Sequence, residues 1–215
     1  MLDRICAICG AKKATTVDHV PPKGIFPKPR PDLITVPACL SCNNSASKHD
    51  EAFRVFLSLH VGITSPLTQS LWNDALKSLK HNYKLYSDIM NTTKKVVLHT
   101  KTSNINNTGM AFCWNSEAHD RTIERMIRGL YFYHFDEILA NRVIIKVQWL
   151  RSLNEDIFEV SKEWKQHNLS GNSFVYRFER AIESPLYSIW LFQFYNKHWA
   201  SGYTMPVVPD NMLKY

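Results

Sequence analysis

At 215 residues, with 45% hydrophobic and 12% aromatic content, the chain can bury one large core or two small ones, which excludes a disordered protein. Lys and Arg outnumber Asp and Glu by 26 to 19, giving +7 at pH 7 and an isoelectric point near 9.1, a balance suited to a polyanionic partner such as nucleic acid. The opening Met1-Leu2-Asp3-Arg4 has no signal-type apolar stretch, and the most apolar run, Tyr187 to Phe194, is too short to span a bilayer, so the expectation is a cytoplasmic protein without membrane contact.

Four of the five cysteines form two Cys-x-x-Cys pairs, Cys6/Cys9 and Cys39/Cys42. Each pair can supply two sulfurs from one tight turn, the pattern of a four-thiolate zinc site; a redox dithiol or reduced core cysteines are the alternatives. Cys113 stands apart between Phe112 and Trp114 and reads as a small buried hydrophobe. The first knuckle spans residues 4–10 and ends at Gly10. Thr15-Thr16-Val17 is β-branched and predicts a strand running into Asp18-His19. Six of the ten prolines lie between Pro21 and Pro37, which predicts a stiff, irregular loop. Leu33-Ile34-Thr35-Val36 is the second expected strand. A helix is expected from Asn43 to about Leu59, with Ala52, Val55, Phe56 and Leu59 at helical spacing.

Past Gly62, Ser65-Pro66 opens a helix that Leu71, Ala75, Leu79 and Tyr83 continue. Val96 to Leu98 and Met110 to Trp114 predict a strand pair joined by the Asn-rich turn Asn104 to Asn107. Ser116 and Glu117 open a longer helix to about Asn141. Ile123, Ile127, Leu130, His134 and Ile138 line one face of it; Arg121, Arg125 and Arg128 share the opposite one. A strand over Val143 to Trp149, a short helix through Ile157, Val160 and Trp164, and strands at Phe174–Phe178, Ser188–Tyr195 and Ala200–Val207 complete the pattern.

The interval between the cysteine pairs holds Asp18-His19, and an amide, Asn43, directly follows the last cysteine. This combination resembles the HNH (ββα-metal) endonucleases with a four-cysteine structural zinc site. The resemblance covers residues 4 to about 56. It implies a zinc-stapled ββα-metal nuclease unit over residues 1–60; past it nothing is carried over, and the pattern of residues 61–215 itself predicts a mixed helix and antiparallel-sheet domain left for substrate or partner recognition or self-association, making the chain α+β. The resemblance further implies that Cys6, Cys9, Cys39 and Cys42 hold Zn²⁺, that Asp18 and Asn43 hold a catalytic Mg²⁺ or Mn²⁺, and that His19 is the general base. The chemistry suits those roles: an imidazole titrating near 6.5 accepts a proton at neutral pH, and hard oxygens suit such ions. Adjacent strand residues point to opposite faces, so Asp18 and His19 serve one site only at a strand end, which Pro21-Pro22 provide.

Each assignment has a plainer counterpart: a polar turn for Asp18-His19, a helix N-cap for Asn43, a solvated helix position for Lys48, and a solvated face for the three arginines. Asp32 and Ser47 stand where relatives place an asparagine and a histidine. The functional expectation is metal-dependent hydrolysis of phosphodiester bonds in nucleic acid, DNA foremost, in a defence or toxin setting among others. Lys48, Arg121, Arg125 and Arg128 are the phosphate-contacting candidates. The alternative is a zinc-dependent nucleic-acid-binding or interaction module without catalysis.

Overall fold

The computed structural model describes residues 4–30, 32–98, 107–139 and 143–207, and among them shows an α+β chain of five α-helices and three antiparallel sheets. The first knuckle closes where the Gly10 N–H donates to the Cys6 carbonyl at 2.9 Å; Gly10 has φ of 64°, a left-handed conformation that glycine adopts without strain. Strands β1 (Thr16–His19) and β2 (Thr35–Ala38) pair antiparallel, with Asp18 opposite Val36 and His19 opposite Thr35. Helix α1 (Leu40–Val61) starts earlier than its periodicity indicates. Cys39 is its N-cap, so the second cysteine pair occupies its first turn.

The run expected as one helix after Ser65 is two, α2 (Pro66–His81) and α3 (Tyr83–Thr92). Ser65 and Thr68 form a reciprocal capping box at the start of α2. Asn82 interrupts the run because its side chain accepts the Leu85 N–H and caps a new helix. Strands β3 (Lys94–Leu98) and β4 (Asn107–Ala111) form a hairpin; Asn107 opens β4, and the remainder of the expected Asn104–Asn107 turn lies outside the described residues. Cys113 follows β4 exposed and not buried, while its neighbours Phe112 and Trp114 pack inward in the alternation of an extended chain. Helix α4 (Ser116–Phe135) is capped by Asn115 and ends at Asp136 in the left-handed region, short of the expected end near Asn141, so Ile138 lies beyond the helix and not on its face.

A five-stranded sheet completes the chain. Strand β5 (Val143–Leu150), helix α5 (Glu155–Ser161) and strands β6 (Lys165–Leu169), β7 (Phe174–Arg180), β8 (Ser188–Phe194) and β9 (His198–Pro206) give the order β5-β9-β8-β7-β6. Strand β6 went unseen in the sequence because its Lys-Gln-His-Asn run is polar and exposed throughout, as an edge strand tolerates.

Helix α4 lies between the cysteine-bearing segment and this sheet. Its Ile123, Ile127 and Leu130 are fully buried. On β9, a Cβ at Gly202 would come within 2.4 Å of Ile127 Cδ1; on α4, a Cβ at Gly129 would come within 2.5 Å of Val20 Cγ2. Both surfaces approach the helix as closely as glycine permits. One core accordingly joins Val20, Phe26, Val36 and Phe53 to Leu130 and Trp190, so the segments 1–60 and 61–215 share their hydrophobic interior. A second cluster gathers Val55 and Phe56 of α1, Ala75 of α2 and Leu85 and Ile89 of α3.

Where α1, α4 and β9 meet, His60, His119 and His198 pack among Phe53, Trp114 and Trp149, with ring centroids 5.1 Å apart for His60–His198 and 5.4 Å for His119–His198. His198 is wholly buried; burial, then the neighbouring His119 and His60, push it down to about 2. Burial also lowers His119, against the pull of Asp120, and His60, where Lys197 adds to the effect.

Two outcomes follow. Gly129→Ala should lower stability by about 1 kcal/mol in urea denaturation, because overpacking against Val20, typically about 1–3 kcal/mol, exceeds the helix-propensity gain of about 1 kcal/mol; equal or higher stability would show that Val20 yields freely. Unfolding frees the three histidines to bind protons that the fold refuses, so their contribution is full above pH 6.5 and lost progressively below it, for His198 at up to about 1.4 kcal/mol per pH unit. Urea midpoints from pH 7 to pH 5 should fall less steeply for His198→Phe than for the wild type, and equal slopes would contradict this.

Candidate functional site

The four knuckle cysteines converge. Their Sγ atoms all lie within 4.8 Å of one another, with Cys9 and Cys39 at 4.0 Å. Tetrahedral zinc, with Zn–S bonds of about 2.3 Å, needs sulfur–sulfur edges of about 3.8 Å, so donor type and spacing both fit the ion. Burial raises the Cys39 thiol, yet the Ser41 hydroxyl, 3.2 Å away, and the Cys42 N–H outweigh it and bring it down to about 6. Cys42 moves the other way, pushed up by burial, by Cys39 and by the charge of Cys6 and Cys9. Four thiolates this close repel one another, and a divalent cation is what allows all four to lose their protons.

Beside this cluster, β1, the Pro-rich loop and α1 border an open cavity of about 560 Å³. Asp18, His19 and Asn43 all line it, with Ser47 one helical turn beyond Asn43. His19 is half-buried, and its ring has no hydrogen-bond partner among the described residues. Burial lowers its pKa, and Lys23 and Arg30 add to the effect against the opposing charge of Asp18, so the imidazole is neutral at pH 7.

Asn43 is not the N-cap, a place Cys39 holds. Its Nδ2 donates to Thr16 Oγ1 and to the Val17 carbonyl, each at 3.2 Å, tying the first turns of α1 to β1. Its Oδ1 is left as an acceptor without a partner among the described residues. Asp18 is only 5% exposed. One of its oxygens accepts the His19 N–H at 2.9 Å, and the other accepts Arg125 Nη1 at 2.8 Å.

Arg125 changes the reading of its helix. The residue is buried, and its second nitrogen, Nη2, donates to Asp50 on α1, which Thr122 also contacts at 3.4 Å. Burial pushes the Asp18 and Asp50 carboxyls up, and the shared guanidinium only partly offsets it. The three expected arginines do line one open cavity of about 410 Å³, with Asp50, Glu117 and Glu124, but they are not equally free. Arg125 is an interior clamp; Arg128 donates to Glu124 and to the Leu139 carbonyl; Arg121 alone is well exposed, 3.5 Å from Glu124. A helical period places these three on one side, but it cannot reveal that the Asp-bearing strand packs on that side.

Lys48 is exposed on α1 and lies outside the His19 cavity. Asp32 lines a different cavity, with Tyr133 and His167. Sequence reading missed Asp50, whose partner lies 75 residues away, and Lys23, Arg30 and Arg54, which also line the His19 cavity. The one signal for Lys23 and Arg30 was a cation placed after a proline, Pro22-Lys23 and Pro29-Arg30, in the loop after His19. No protein-family model matches the chain, and neither a curated protein nor a solved structure shows significant similarity to it.

Elemental analysis of the purified protein should find about one zinc per chain, and Cys39→Ser should lose it with the knuckle's order; a metal-free, fully folded wild type would contradict the assignment. Arg125→Gln should cost about 3 kcal/mol in urea denaturation, since it leaves the buried Asp18 and the half-buried Asp50 without their cation. A loss below about 0.5 kcal/mol would mean that Asp18 and Asp50 find other partners.

Proposed function

We propose that the protein is a metal-dependent endonuclease of the HNH type, hydrolysing phosphodiester bonds in nucleic acid, with DNA as the foremost substrate. The observation that carries this reading is that Asp18, His19 and Asn43 line one open cavity beside the four-cysteine cluster, with the His19 ring unpartnered among the described residues. Zinc enclosed by four cysteines keeps no open position, so it organises the fold and takes no part in the reaction.

The residues present fit a second, hydrolytic cation. Asp18, Asp50 and Arg125 together carry one net negative charge at the cavity wall, and Asn43 Oδ1 offers a neutral oxygen to the same space. Asp18 and Asn43 would hold the Mg²⁺ or Mn²⁺ ion, which when bound would supply Lewis-acid stabilisation of the scissile phosphate and of the departing oxygen. His19, neutral at pH 7, takes the proton from the attacking water. The Asn43 bonds to Thr16 and Val17 hold its amide plane against β1, so the ligand does not depend on a freely rotating side chain.

A second reading, a zinc-dependent nucleic-acid-binding module without catalysis, draws on the Asp18 carboxylate, both of whose oxygens already accept hydrogen bonds. Incubation with plasmid, linear DNA and RNA, with and without Mg²⁺ or Mn²⁺, separates the two. The nuclease reading expects cleavage only with added ion and a roughly 10²- to 10⁴-fold lower rate for His19→Ala, with zinc content and nucleic-acid binding retained. Wild-type rates in that variant would remove His19 from the mechanism, and no cleavage by the wild type would favour the binding module.

A further inference from the structure

The cavity at His19 does not end at Arg30. A second open cavity, of about 580 Å³, continues from it, and the two share Arg30, Glu51 and Arg54, so together they form one trough from β1 across α1 to the flank of α2. Five Lys and Arg side chains line it: Lys23, Lys28, Arg30, Arg54 and Lys77. Three of its four acidic residues are paired with a cation, and Glu51, bonded to a neutral amide, keeps its charge. Asp18 and Asp50 share Arg125, Asp74 accepts Lys77 at 3.1 Å, and Glu51 accepts the Asn82 amide at 2.7 Å.

The cations of the Pro-rich loop are in the opposite condition. Lys23 and Lys28 are exposed, and neither pairs with a carboxylate among the described residues. Among the described residues Arg30 is anchored through Nε alone, which donates to the Lys23 and Phe26 carbonyls at 3.0 and 3.2 Å, leaving both terminal nitrogens of its guanidinium for a ligand. Arg54 Nη2 donates to the Ser78 hydroxyl, a neutral partner, and its Nε is buried without a partner among the described residues. A planar guanidinium held by backbone carbonyls and open at its far edge matches the geometry of a phosphate oxygen pair.

We infer that Lys23, Arg30 and Arg54 seat the phosphodiester backbone of the substrate in this trough, bringing one phosphate to His19 while the strand continues past Lys28 toward α2. The inference rests on the nuclease reading for what happens at His19, but the binding itself needs no catalysis. It also moves the phosphate-gripping role away from α4, where Arg125 and Arg128 serve intramolecular partners. A strand of repeated phosphates, and not a single anion, is the ligand that uses cations spread along two joined cavities. Its recognition is of backbone charge, blind to base sequence.

The test is fluorescence anisotropy with labelled duplex DNA, single-stranded DNA and RNA of one sequence across a salt series, with no added Mg²⁺ or Mn²⁺. Wild type, Lys23→Gln/Arg30→Gln, Arg54→Gln and, as a control outside the trough, Arg121→Gln are compared, with zinc content and circular dichroism confirming each fold. The double variant should bind at least about tenfold more weakly, and the slope of log K against log salt should shrink by about one for each phosphate no longer neutralised, with Arg121→Gln unchanged. The arm bound most tightly identifies the nucleic acid. Wild-type affinity and slope in the double variant, or a wild type that binds none of the three, overturns the trough. Cleavage with an unchanged slope in the double variant removes the trough and keeps the nuclease; trough-dependent binding without cleavage keeps the trough and removes the catalysis.

Discussion

One guanidinium holds the candidate site together. Arg125 of α4 donates to Asp18 at the end of β1 and to Asp50 in the middle of α1, so three elements from distant parts of the chain meet at a single charge. Buried carboxylates are tolerated only when their charge and lone pairs are satisfied, and two of them around one cation leave a net negative charge facing the cavity. A lone Asp18 in the same place would be driven towards its protonated form. Asp18 thus takes its counter-charge from a helix whose residues share no local motif with it.

The same helix explains why the cysteine-bearing segment does not stand by itself. Gly129 admits Val20 on one side of α4, and Gly202 admits Ile127 on the other, so the knuckles and the large sheet pack on a shared helix with no room for an added methyl group. Interiors this dense transmit small displacements, and Val20 directly follows His19. Packing between α4 and the sheet therefore bears on where the imidazole sits. The four-cysteine cluster, which could hold zinc, ties residues 4–42 together locally, while α4 fixes how that unit faces everything after it.

Charge divides the surface in an instructive way. The basic residues that a helical period groups together, on α4, are absorbed by Asp18, Asp50, Glu124 and the Leu139 carbonyl. Those scattered through an irregular proline loop, Lys23, Lys28 and Arg30, keep their charge without a carboxylate partner among the described residues. An excess of +7 says that cations outnumber anions, but only the pairing says which of them stay available to a polyanion.

Local chemistry was legible in the sequence. Two Cys-x-x-Cys pairs specify a four-thiol cluster able to hold a metal because each pair needs only its own tight turn; β-branched Thr15 to Val17 specify a strand; Ile123, Ile127 and Leu130 mark the buried face of α4 by period alone. Even the meeting of Asp18, His19 and Asn43 was within reach, since the knuckles fix the ends of the segment that carries them. What sequence could not specify were the contacts between elements far apart in the chain: Arg125 turned inward to Asp18 and Asp50, the polar edge strand β6, the break at Asn82, and an exposed Cys113 between two partly buried aromatics. Periodicity reports which residues share a face, whereas burial depends on what packs against that face, and that partner is chosen only when the whole chain closes around α4.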